Sequence, residues 1–224
     1  MPFISSSVIS PYNSIRGGVY NFEQGYDFED AINFNGDNQY ATMANFSQSN
    51  SWTISMWVKP TSTTSRMLGS QSNGGILIGL SSLTDFRVNI GNNSVFAINA
   101  ILNQWNHILV VKDTSTSNAG NVYVNGVASI SNPLNISNNI SGINQIIKQG
   151  TIISEGISDD LLFWNNKVGT LQNAIDLYNG GAGVDPTTVI PNPNRWYKFN
   201  GNPDDSGSDA QNLTLFNSPT YVPH

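Results

Sequence analysis

The feature that most constrains this chain is alternation. In SWTISMWVKP (51–60), Trp52, Ile54, Met56 and Val58 fall on one face of an extended strand, Thr53, Ser55, Trp57 and Lys59 fall on the other, and Pro60 ends the run. A period of two over so many residues is the signature of a pleated strand with one face in a core. Similar short runs recur in GGILIGL (74–80), DFRVNI (85–90) and VFAINAI (95–101), separated by Gly, Asn and Ser turns. GNVYVNGVAS (120–129) is a strand broken by Asn125-Gly126, a pair that tolerates the positive φ angles of a tight hairpin.

GISDDLLFWNN (156–166) reads as a further strand, and TLQNAIDLYNGG (170–181) as the one convincing helix. Thr170 can cap that helix, Leu171, Ala174, Ile175 and Tyr178 lie at helical spacing, and Gly180 or Gly181 can end it. Residues 180–194 form a Gly/Pro linker, after which RWYKFN and NLTLFN return to a strand pattern. Many short strands with turns between them and one late helix predict an all-β antiparallel sandwich. The expected organisation is an N-terminal arm or docking segment over 1–25, the main sandwich over 26–179, the linker over 180–194, and C-terminal strands over 195–224. The C-terminal piece either completes the same sandwich or starts a truncated second module. Completion is favoured, because Trp196, Tyr197, Phe199, Leu213, Leu215 and Phe216 need a core and a segment this short cannot build one alone.

Several of these segments, taken in order, resemble the laminin-G-like branch of the concanavalin A-like lectin/glucanase jelly rolls. AINFNGDNQYATM resembles the family's opening strand pair, and SWTISMWVKP its aromatic-Thr-Ile-x-x-Trp-Val-Lys-Pro strand. NQWNHILVVKD is similar to its Trp-x-His strand, NVYVNGV to its hairpin (with Asn125 in place of Asp), and GISDDLLFWNNKVGTLQNAIDLYN to its closing strand and helix. The resemblance covers about residues 31–179, and the ordered set is specific where each motif alone is weak. It implies a jelly-roll β-sandwich with one short C-terminal helix, often a lectin, and often a Ca²⁺ ion at the rim. WYKFNGNPDDSGSDAQNLTLFNSPTYV departs from the pattern, since a similar segment usually precedes the opening strands.

Composition narrows the functions. The net charge is −6 with nine Lys and Arg and no basic run, which excludes the electrostatic footprint of nucleic-acid binding and argues against an anionic membrane surface. Only 11% of residues are charged, so Asn, Ser, Thr and Gly keep the surface in water. There is no cysteine, hence no disulfide, thiolate catalysis or Cys-ligated metal. No run is long enough to cross a bilayer, and the N-terminus lacks the basic start and apolar core of a secretory signal.

The chain has only two histidines, His107 and His224. A catalytic or metal-binding role for His107 needs a convergent partner, so it reads as a structural strand residue, as the family resemblance also implies. A glycosidase needs two carboxylates across the scissile bond. Of three glutamates, Glu155 precedes Asp159 and Asp160 without a second Glu to follow, while Glu23, Asp27, Glu29 and Asp30 read as a solvated acidic stretch. The chain is therefore read as a non-enzyme. Calcium is the candidate cofactor, with Asp204, Asp205 and Asp209 of DDSGSD as oxygen ligands in a Gly-containing turn. A polar turn without metal is the alternative. Trp57, Tyr40, Tyr123 and Trp164 are the aromatic platforms that a sugar ring would use, against the alternative of a second core layer.

The leading expectation is a surface module of a bacteriophage particle, either a capsid decoration protein or a fibre head. Its partners would be capsid or tail proteins, with cell-surface glycans and self-association as further candidates. A signal-less start combined with a mostly extracellular fold motivates this, as do Phe3, Ile4, Val8, Ile9, Tyr12 and Ile15, which could dock an arm on a partner or finish the same sandwich. A secreted or cell-surface bacterial glycan-binding module is the alternative, and a glycoside hydrolase the third.

Overall fold

The alternation at 51–60 becomes strand in the computed structural model of the chain, which describes residues 26, 28–48, 50–70, 76–80, 85–90, 93–98, 100–116, 119–129, 133–135 and 140–224. The expected arm, Glu23 and Asp27 lie outside the described residues. The strands run in order β1 (Asp30–Asn35), β2 (Tyr40–Gln48), β3 (Trp52–Pro60), β4 (Arg66–Ser70), β5 (Ile76–Leu80), β6 (Asp85–Ile90), β7 (Asn93–Ile98), β8 (Asn106–Asp113) and β9 (Ala119–Val124). Next come β10 (Val127–Ala128), β11 (Leu134–Asn135), β12 (Ile140–Ile146), β13 (Lys148–Gln149), β14 (Ile152–Ile153) and β15 (Glu155–Asn165). Helices α1 (Leu171–Tyr178) and α2 (Pro186–Val189) precede β16 (Arg195–Tyr197), β17 (Thr214–Phe216) and β18 (Thr220–Pro223).

All pairings are antiparallel and build two large sheets. The larger runs β10-β9-β8-β3-β15-β1-β18, with β11 on β9 and β16 on β15, and the smaller runs β17-β2-β12-β4-β5-β6-β7. Both inner faces meet in one core, where Trp52, Ile54, Met56 and Val58 of β3 pack with Phe34, Phe46, Phe86 and Phe163. This is an antiparallel β-sandwich of the jelly-roll kind. Residues 195–224 contribute strands to both sheets: β16 pairs with β15, β17 with β2 and β18 with β1. The tight turn forms at Asn125-Gly126 with φ of 51° and 74°, pairing Val124 with Val127.

Helix α1 starts at Thr170, whose hydroxyl accepts from the Asn173 amide while the Asn173 side chain bonds back to the Thr170 amide. It stops one residue earlier than the glycines suggest, at Asn179, which takes the left-handed conformation. The segment 180–194 is more than a linker. Asp185 caps a second helical turn, α2, and Ile190 is buried against the larger sheet, where its carbonyl accepts a 3.0 Å bond from the Trp164 indole.

The outer face of the larger sheet is consequently a second core. Leu109, Val111, Tyr123, Leu162 and Trp164 are covered by Ala174 and Leu177 of α1, by Ile190 and by Trp196. This is why Thr53, Ser55 and Trp57, on the nominally outward face of β3, are buried along with their neighbours.

Candidate functional site

Of the four aromatic residues expected to carry a sugar, three are buried and Tyr40 is half-buried. Trp164 is fully buried and Tyr123 is 7% exposed, both in the second core. Trp57 is 4% exposed and lies among His107, Phe28, Tyr178 and His224, with ring centroids 5.1–6.0 Å away. Tyr40 stacks on Phe216 at 4.4 Å, and the Lys148 ammonium stands 3.6 Å from its ring centroid. Two such neighbours cannot share one face, so both faces of Tyr40 are occupied. The physical reason for three of the four is the cover over the larger sheet, built by segments remote in sequence.

The turn expected to bind calcium is held by protein donors. Asp205 accepts from the Trp196, Gly207 and Gln211 amides, Asp209 from the Arg195 guanidinium at 3.2 Å, and Asp204 from the Asn212 amide group at 2.7 Å. An ion there would share or displace these bonds.

His107 is 1% exposed, and its Nε2 lies 2.8 Å from the Ser55 hydroxyl. Burial pushes its pKa down to about 3, so the ring is neutral. Near it lies a covered titratable cluster. Asp160 occupies a β-bulge of β15, in the left-handed region at φ 41°, where the register to β3 shifts. It accepts from the Trp196 indole at 2.6 Å and from the Tyr26 hydroxyl at 3.2 Å. Asp159 lies 2.6 Å from His224 Nδ1, and the His224 ring is stacked between Phe28 (3.8 Å) and Trp105 (3.9 Å). Burial pushes Asp159 up to about 8; burial and the Asp159 charge push Asp160 up to about 7. Both carboxyls are under 4% exposed. The cluster ties Tyr26, Phe28 and His224 to the sheet rather than facing a cavity.

Open, convergent polar groups lie at one end of the sandwich. A cleft of about 290 Å³ is lined by Gly36, Ser62, Thr64, Arg66, Ile152, Ile153, Ser154 and Glu155. Three elements build it. Gly36, at φ +84°, lets the chain turn between β1 and β2 beside the Glu155 side chain. The 61–65 loop is pinned by Ser65, whose single hydroxyl proton is shared between the Ser62 and Glu155 carbonyls at 2.8 and 2.9 Å. The β13–β14 hairpin presents Ile152, which is 49% exposed, and Ser154, whose hydroxyl accepts from the Arg66 amide at 2.9 Å. The Arg66 guanidinium makes no hydrogen bond or ion pair among the described residues, and its Nε is buried without an acceptor. The cleft thus offers a cation, a carboxylate, hydroxyls and an apolar ledge within one wall.

A family model described as the concanavalin A-like lectin/glucanases superfamily, of the laminin-G type, matches residues 35–165. The chain belongs to that superfamily. Among solved structures it is similar to one from Bacteroides ovatus provisionally described as a carbohydrate binding protein, with 18% identity and a TM-score of 0.65, covering 88% of this chain and 60% of that one. The heptameric SAP-like pentraxin of Limulus polyphemus matches with 14% identity and a TM-score of 0.58, over 88% of this chain and 95% of that one. A Trypanosoma rangeli sialidase in complex with sialic acid matches with 14% identity and a TM-score of 0.52, over 69% of this chain and 28% of that one. At these identities the likeness is one of lectin-like fold. No curated protein matches the chain.

Sequence reasoning singled out Glu155 as a carboxylate but missed Arg66 and the hydroxyl-rich loop before it. The available signal was PTSTTSR (60–66), a run of hydroxyls ending in one of only nine cationic residues.

Proposed function

We propose that this protein is a non-enzymatic saccharide-binding module and that the sugar occupies the cleft around Arg66 and Glu155. What supports the reading is the convergence there of an unpartnered guanidinium, a carboxylate, the Ser62, Thr64 and Ser154 hydroxyls and the exposed Ile152. Sugar hydroxyls both donate and accept, so a carboxylate and a guanidinium side by side complement them, while an apolar side chain covers the C–H face of a ring. Hydrolysis would need a second carboxylate about 5–9.5 Å across the bond. The described lining holds one, and the Asp159–Asp160 pair is buried under aromatic cover.

The same proposal places the module on a bacteriophage particle, as decoration or fibre head, with a bacterial cell surface as the alternative. A surface with few charges and no cysteine in the chain supports an exposed, non-redox setting. The test has two parts. A saccharide panel should give binding that Glu155→Gln and Arg66→Gln each weaken about tenfold, the loss of one charge-assisted hydrogen bond, with no new reducing ends from laminarin, agarose, alginate or chitin fragments. Turnover abolished by Glu155→Gln would make the protein a hydrolase. Purified particles should contain the protein; recovery only from a cell envelope would move it to the alternative setting.

A further inference from the structure

We infer that the bound saccharide is acidic, with a ring carboxylate held between Arg66 and Arg87 on the outer face of the smaller sheet; this rests on the rim cleft being a sugar site. Arg66 on β4 stands opposite Gly79 on β5, and Gly79 stands opposite Arg87 on β6. Residues directly opposite on neighbouring strands project from the same face. Because Ile78, Leu80, Phe86 and Val88 enter the core, that face is the outer one. Two strand spacings put the arginine backbones about 10 Å apart, close enough for both side chains to reach one small anion.

Over Gly79 the chain of the 61–65 loop comes close, and the Ser65 carbonyl oxygen there accepts from the Leu80 amide at 2.9 Å. Gly79 is required there, since a Cβ would come 2.4 Å from the Ser65 carbonyl oxygen. A second cleft of about 200 Å³ lies beside it, lined by Thr63, Thr64, Arg66, Leu80 and Arg87, and it shares Thr64 and Arg66 with the rim cleft. Glu155 lines the rim cleft and not this one, and Asp85, on the same face as Arg87, lines neither. Arg87 is oriented by a 2.9 Å bond from its Nε to Asn89 Oδ1.

The two cations feel one another: burial holds Arg66 below the usual arginine range, and the Arg87 charge lowers it further. Both arginines line the same cleft, and the Arg66 Nε is buried without an acceptor, so an anion bound there would satisfy that donor. A planar carboxylate matches the guanidinium fork, which makes a uronic or sialic acid the class of sugar expected. The acidic ring would sit at the arginine pair, and a neighbouring ring would reach the Glu155 side of Thr64.

The experiment is calorimetric titration of the full chain with two matched pairs, tetragalacturonate against its methyl ester and sialyllactose against lactose. The acidic member of at least one pair should bind tenfold or more tightly than its neutral partner. Arg87→Gln should remove that preference and Arg87→Lys restore part of it, with the melting temperature of both variants near that of the wild type. Equal binding of acid and neutral partner, lost in Glu155→Gln, would overturn the acidic class and leave the sugar site standing. Tighter binding of a heparin tetrasaccharide than of either carboxylate would transfer the arginine pair to sulfate and overturn the carboxylate assignment. No binding to any of these saccharides would overturn the sugar site and this inference together.

Discussion

The two sheets of this sandwich treat their outer faces in opposite ways. The larger sheet is roofed by α1, the 180–194 segment and Trp196, and it buries Trp57, Trp164, two acids and a neutral histidine beneath its cover. The smaller sheet, at β4–β6, leaves two arginines beside a glycine and opens into clefts. The contrast teaches that residue type alone is a poor guide to function in a sandwich. Aromatic rings and shifted carboxyls mark the roofed face here, and a sparse polar row marks the face on which we propose the ligand site.

The sharpest way to break this comparison is Trp164→Ala. Removing a fully buried ring that also donates to the Ile190 carbonyl should cost roughly 3–5 kcal/mol, mostly through the cavity left behind. For a chain of this size that is a fall of about 10 °C in melting temperature. Saccharide affinity measured well below the transition should stay unchanged; a specific loss of binding with stability intact would put the function on the roofed face.

A second, smaller effect is pH dependence. His107 and His224 are pushed down to about 3 and about 4, while Asp159 and Asp160 are pushed up to about 8 and about 7. Between about pH 4 and 6.5 the unfolded histidines bind protons that the folded ones do not, and the buried carboxyls do the reverse, so the two contributions oppose. Above about pH 6.5 only the carboxyls act. There the folded state keeps protons that the unfolded state has released, and stability must fall as pH rises through 7 and 8, by on the order of 1–2 kcal/mol. Thermal melts from pH 6.5 to 8.5 should show the decline, and Asp160→Asn, which keeps an acceptor for Trp196 and Tyr26, should make it shallower. A flat profile would mean that the cluster is hydrated and the roof open.

The smallest effect concerns the 204–209 turn. Calcium binding there would raise the wild-type melting temperature by the equivalent of about 1 kcal/mol at a few times the dissociation constant. Asp204→Ala should abolish that shift, since Asp204 is the carboxylate with the fewest protein donors. No shift at millimolar Ca²⁺ leaves the turn held by its own hydrogen bonds.

Much of the fold was legible because its signals are local. The faces of β3, the Asn125-Gly126 hairpin and the Thr170 cap each follow from a few adjacent residues and from backbone geometry that those residues prefer. The ordered family motifs also lie along the chain. The site was far less legible. Alternation says that Trp57 lies opposite Ile54, but not what lies over Trp57; that depends on Tyr178 of α1, on Phe28 and on His224 arriving from distant parts of the chain. Likewise, nothing near position 66 announces position 87. The two arginines become neighbours only because the registers of β4 on β5 and of β5 on β6 bring each opposite Gly79. The sequence by itself determined which residues can pair as strands and which face each presents. Only the tertiary structure decided which outer face is roofed and which cations meet, because cover and cross-strand register are set by contacts between segments that no local period encodes.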